Sequence, residues 1–124
     1  MPAGGARELR FGPDLYWSIR RRELAHVSKL LQDSVGEVQR HQDALLKLSD
    51  TAKLHEPDWV EAQTAAMHAL RRARTNRTRL RRMVAGIRDT LRIRTNIAEA
   101  MPSDFPELLD KASMTLDYLE AHGY

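Results

Sequence analysis

The chain has no cysteine, few aromatic residues (6%) and no long apolar run. Each absence excludes something. Without cysteine there is no disulfide framework, no thiolate-ligated zinc and no thiol nucleophile. No stretch approaches the roughly 20 apolar residues that span a bilayer. The opening Met1-Pro2-Ala3-Gly4-Gly5 lacks the charged-then-apolar layout of a signal peptide. Together these features predict an intracellular protein.

Catalytic patterns are missing too. No nucleophile–base pair and no glycine-rich phosphate loop is visible. The histidines, His26, His41, His55, His68 and His122, include no pair at i, i+4 and no zinc-helix motif. The sequence therefore predicts no catalytic residues, no metal and no cofactor, and a protein that is not an enzyme. Asn76-Arg77-Thr78 matches a glycosylation sequon, but it lies inside a predicted helix of a chain without a signal peptide and is set aside.

What is present is charge, unevenly placed. A length of 124 residues suits one domain, and 42% apolar with 30% charged residues suits a thin core or a long-helix protein. From Arg71 to Arg94 there are ten arginines and one acid, a local balance of +9. Since the whole chain carries +3, the remainder sums to −6. A modest average is thus the difference between one very basic segment and an acidic rest.

Periodicity predicts three helices after a Gly-rich arm at 1–12 expected to be mobile. Pro13-Asp14 starts the first, over about 13–50. Trp17, Leu24, Leu31, Val38, Leu45 and Ala52 recur every seven residues along it, joined by Val27 and Leu48. Leu30, Val35 and Leu46 widen the stripe, so the helix should meet more than one neighbour. Gly36 inside it marks either a close helix approach or nothing. Glu56-Pro57-Asp58-Trp59 starts the second helix, over about 57–101, with Ala66, Leu70, Ala73, Leu80, Val84, Ile87 and Leu91 on its seam. Pro102 stops it. A third helix over about 104–121 places Phe105, Leu108, Leu109, Ala112, Leu116 and Leu119 on one face, and Gly123 closes it.

The expected fold is all-α: a long, coiled-coil-like antiparallel hairpin with a short third helix packed at its open end, residues 13–124 forming one domain. The implied register puts Arg74 and Arg77 beside Glu37 and Asp33. It also crowds Arg20, Arg21 and Arg22 against Arg88 and Arg92, where the acids of the third helix, Asp104 among them, would relieve the repulsion. Tyr16, Trp17, Phe105 and Tyr118 should meet there as an aromatic plug.

The arginine row divides on this basis. Arg74, Arg77 and Arg88 fall toward the bundle and read as structural, Arg77 through Asp33. Arg71, Arg72, Arg79 and Arg82 point away and lack evident partners, so they are the candidate binding residues; guanidinium forks suit carboxylate and phosphate alike. At the turn end two helices cannot cover their own apolar stripe. Trp59, Val60 and Met67 are therefore the candidate docking or homodimer surface.

The order of features also resembles a known family. Arg20-Arg21-Arg22 before Leu24-Ala25-His26, then Glu56-Pro57-Asp58-Trp59-Val60, Ala65-Ala66 and Leu80-Arg81-Arg82-Met83 in an arginine-laden helix, resemble the unique-long-fourteen family of herpesvirus minor tegument proteins over residues 17–101. The resemblance implies a virion tegument protein of host cytoplasm and nucleus, acting in virion assembly and in chaperone-like transport of other viral proteins. It brings no catalytic residues. The functional expectation is an adaptor that binds proteins through the arginine face and the uncovered apolar stripe. The alternatives are a nucleic-acid-binding helical module and a structural subunit of a larger complex. No aromatic lies from Arg71 to Arg94, which disfavours single-strand stacking but leaves duplex phosphates open.

Overall fold

A computed structural model describes residues 12–49 and 56–124. The expected mobile arm (apart from Gly12), the hairpin turn, Ala52 and His55 lie outside the described residues. Helix α1 runs Pro13–Ser49 and α2 runs Glu56–Ile93. They pack against each other along their length as the antiparallel hairpin the heptads require. Two short elements follow, α3 at Thr95–Glu99 and α4 at Phe105–Ala121. Among the described residues there is no strand, and no helix is long and apolar enough to cross a membrane.

The seam positions are the core. Trp17, Leu24, Val27, Leu31, Leu80, Val84 and Ile87 are buried together with Ile97, Phe105, Leu109, Ala112, Leu116 and Leu119. This is the three-helix part, where α4 lies along α1 and α2. Toward the turn the core shrinks to Val38, Ala69 and Ala73, flanked by half-buried Val35 and Leu70. Small side chains let two helices close on each other, but they bury little apolar area, and stabilisation scales with that area. Leu46, at 65% exposed, sits outside the core altogether. Gly36 marks no close approach, because a Cβ there would meet only the tip of the Arg40 side chain, at 3.6 Å.

The second helix is shorter than its periodicity predicts. It does not reach Met101: Arg94 takes an extended backbone (φ −110°, ψ 95°) and starts a separate turn of helix. The reason is packing. The break buries Ile97 and turns its carbonyl toward Trp17, whose indole Nε1–H donates to it at 2.8 Å. A buried indole N–H without an acceptor would cost about 1–3 kcal/mol, so the break supplies a partner that a straight helix would point elsewhere.

Trp17 then anchors the plug. Its ring meets Tyr16 edge-on at 5.0 Å and Phe105 at 4.6 Å. Tyr118 does not join them. It lies 13 residues past Phe105, about 20 Å along a helix, and faces solvent stacked on His122 at 4.0 Å.

Candidate functional site

Of the acids expected to hold the hairpin's open end, Asp104, in the turn before α4, does so through one tight pair, and no acid within α4 reaches Arg20, Arg21 or Arg22 among the described residues. Arg21 donates two parallel bonds to Asp104, at 2.8 and 2.7 Å. This bidentate pair holds the Asp104 carboxyl below its ordinary value and raises the Arg21 guanidinium. Arg21 also rests over the Phe105 ring at 5.8 Å. Asp104 precedes the first turn of α4 but makes no side-chain bond to the helix backbone; its carboxylate is committed to Arg21.

The rest of α4 and the residues after it engage four of the ten arginines between Arg71 and Arg94. Gly123, with φ +82°, turns the chain so that its N–H reaches Glu120 O at 3.3 Å and the Tyr124 N–H reaches Leu119 O at 2.9 Å. This positive φ favours glycine. Arg74 then donates to Gly123 O at 3.2 Å, and Arg77 donates to the backbone oxygen of Tyr124. Arg81 reaches Glu120 at 3.3 Å and Arg88 reaches Ser113 Oγ at 2.7 Å. One column of α2 arginines thus grips α4, with two cations against the electronegative end of a helix. The expected Arg77–Asp33 pair is not formed, because Tyr124 folds back and takes the guanidinium first. Likewise Arg74 serves α4 rather than Glu37.

Glu37 pairs with Arg72 instead. That contact lowers the Glu37 carboxyl, first through the hydrogen bond and then through the charge of Arg72. Arg72 therefore leaves the set of partnerless arginines to which the sequence assigned it. Among the described residues Arg71, Arg79 and Arg82 are exposed and make no hydrogen bond or ion pair.

Arg79 and Arg82 border a groove of about 750 Å³ between α1 and α2, on the side of the hairpin away from α4. Its apolar surface is that of half-buried Tyr16 and Met83, above the buried Ile87, and Thr75, Thr78 and Thr90 add hydroxyls. Arg20 closes one end, bonded to Glu23 at 2.8 Å and lying over the Tyr16 ring at 5.1 Å. Thr75 and Thr78 also line a shallower depression with Met67 and Arg71, so the three unpaired arginines follow one continuous strip. Arg20 and the groove were not among the sequence candidates. A seven-residue repeat reports which face is buried, and gives no sign of a cleft left where a further helix is missing.

Of the turn-end candidates, two are exposed and one is not. Val60 is 48% and Met67 58% exposed, with Leu46 nearby in the two-helix part, while Trp59 is half-buried. His41 is half-buried, and among the described residues no group of His, Asp and Glu is placed to hold a metal ion. Comparison with family models, curated proteins and solved structures finds no match to this chain.

Proposed function

We propose that the chain is a non-catalytic adaptor that captures an acidic, amphipathic segment of another protein along the α1–α2 groove. The observation that carries this reading is the set of arginines without a partner among the described residues, Arg71, Arg79 and Arg82, beside the half-buried apolar surface of Tyr16 and Met83. Carboxylates satisfy the guanidinium forks and apolar side chains cover the floor, the usual helix-in-groove arrangement. A phosphodiester backbone would satisfy the arginines and leave the apolar surface of Tyr16 and Met83 bare, so protein is favoured over nucleic acid. Exposed Leu46, Val60 and Met67 offer a second, apolar contact at the two-helix end. The resemblance to herpesvirus minor tegument proteins supports a setting in virion assembly, with viral structural proteins as partners in host cytoplasm and nucleus.

The test is fluorescence anisotropy with three labelled probes: a helical peptide bearing Glu and Leu faces, its Lys-for-Glu counterpart, and a DNA duplex. The acidic peptide is expected to bind, and Arg79→Glu with Arg82→Glu to weaken it by at least ~10-fold, as loss of charge complementarity predicts. Binding of the duplex alone, with log affinity falling by about 0.9 per phosphate contact against log salt, would replace this reading with the nucleic-acid one.

A further inference from the structure

One acidic amphipathic helix is carried by the chain itself. The outward ridge of α4 holds Met114 and Tyr118, which are 70% and 55% exposed, beside Asp110 and Asp117. Neighbouring charges are already committed: Glu107 pairs with Lys111 at 3.7 Å, Arg81 with Glu120 at 3.3 Å, and Arg88 bonds Ser113 at 2.7 Å. Asp110 and Asp117 form no ion pair among the described residues. The ridge is therefore two apolar side chains flanked by uncompensated carboxylates. The groove is the inverse, an apolar floor flanked by arginines.

Length and shape agree with that pairing. The groove extends from Thr75 to Thr90 along α2, about 22 Å at ~1.5 Å per residue. The 17 residues of α4 span about 26 Å by the same rise. Gly86 lines the groove, and an added Cβ there would meet nothing within 4 Å. Nothing inside the chain requires glycine at this helical position, where it costs about 1 kcal/mol relative to alanine. A bare backbone allows a second helix to come close.

The ridge and the groove lie on different sides of one bundle. Helix α4 sits beside Leu24, Ala25 and Ser28 of α1 and Val84 and Ala85 of α2, and none of its residues lines the groove. A chain cannot fill its own groove with its own ridge. We infer that the groove of one copy receives the α4 ridge of a second copy, so that copies associate head to tail. The proposal rests on the reading of the groove as an acidic-helix site. Such a contact uses different surfaces on the two partners, so it continues from copy to copy unless the rotation closes a ring. One helix ridge buries less than a standard interface, which makes the association weak, and its charges make it sensitive to salt. An acidic partner protein and a second copy then compete for the same groove.

The test is sedimentation equilibrium of the full chain over rising concentration, with two one-sided variants. Gly86→Trp plugs the groove from a position with room for the side chain. Asp110→Lys with Asp117→Lys reverses the ridge. The wild-type average mass is expected to climb past that of a dimer at low salt and to fall back at about 1 M salt, where charges are screened beyond ~3 Å. Each variant alone should be monomeric. Their equimolar mixture should regain association and stop at one-to-one dimers, since only one groove and one ridge remain intact. If Gly86→Trp unfolds by circular dichroism, Arg79→Ala with Arg82→Ala serves as the groove-side variant. A wild type monomeric at every concentration overturns the inference, as does self-association undiminished in both variants. The peptide experiment separates the two readings: peptide binding by a monomeric wild type leaves the adaptor standing without the self-contact.

Discussion

Arginine does three different things within one helix here, and the partner decides which. Arg72 meets a carboxylate across the hairpin, Arg77 meets a backbone oxygen, and Arg79 forms no hydrogen bond or ion pair among the described residues. Which arginine does which was only half legible. The hairpin register was right, since an α2 arginine does reach Glu37, but the face was read one side off and Arg72 takes the place expected of Arg74. The acceptors of Arg74 and Arg77 are main-chain oxygens at the end of α4. Backbone acceptors carry no residue signature, so no pattern of side chains could have announced them. At this scale the sharpest prediction concerns Asp104. Its folded carboxyl lies below its ordinary value of 3.8, so its contribution is full above that value and is lost as pH falls through the lower folded value. Asp104→Asn should therefore lower the Tm of the wild type slightly near neutrality. The gap should close as pH drops below about 3.8, the ordinary aspartate range. A gap that stays constant with pH would mean that the Arg21 pair contributes nothing.

Among the elements, α4 is the one whose attachment is distributed over its whole length. Asp104 ties its start to α1, Glu120 and Ser113 tie its flank to α2, and Arg74 and Arg77 hold its last turn. The guanidinium of Arg77 is an expensive clamp, because its Nε is buried without a partner. Arg77→Met removes the charged donor to the Tyr124 oxygen and should lower global stability by about 1–3 kcal/mol, while the amides of Gly123 and Tyr124 exchange faster in hydrogen exchange. Unchanged exchange there would show that Gly123 alone fixes the cap. The break at Arg94 is the element-scale feature the periodicity missed. Neither proline nor glycine marks it, and the cause is a long-range demand, the buried indole of Trp17 needing the Ile97 carbonyl. The helical faces, by contrast, were legible because burial repeats: Leu80, Val84 and Ile87 fall where the spacing put them.

Taken whole, the molecule has one thick end and one thin end. Three helices share the core from Trp17 to Leu119, whereas among the described residues the buried cluster toward the turn is Val38, Ala69 and Ala73. Local opening follows buried apolar contact, so α2 amides near Leu80–Ile87 should be protected far longer than those near Ala62–Ala69. Equal protection along α2 would mean that the hairpin opens only as a unit. The two tryptophans happen to divide between these ends. Trp17 is dry, hydrogen-bonded and wedged between rings, and Trp59 is half-buried in the two-helix part. Each thus becomes a built-in optical reporter for its own end. A Trp59→Phe chain emits from the thick end alone, and a Trp17→Phe chain from the thin end. Opening of the thick end and contact at Val60 can then be followed by the colour of emission, each in its own variant, with no dye attached.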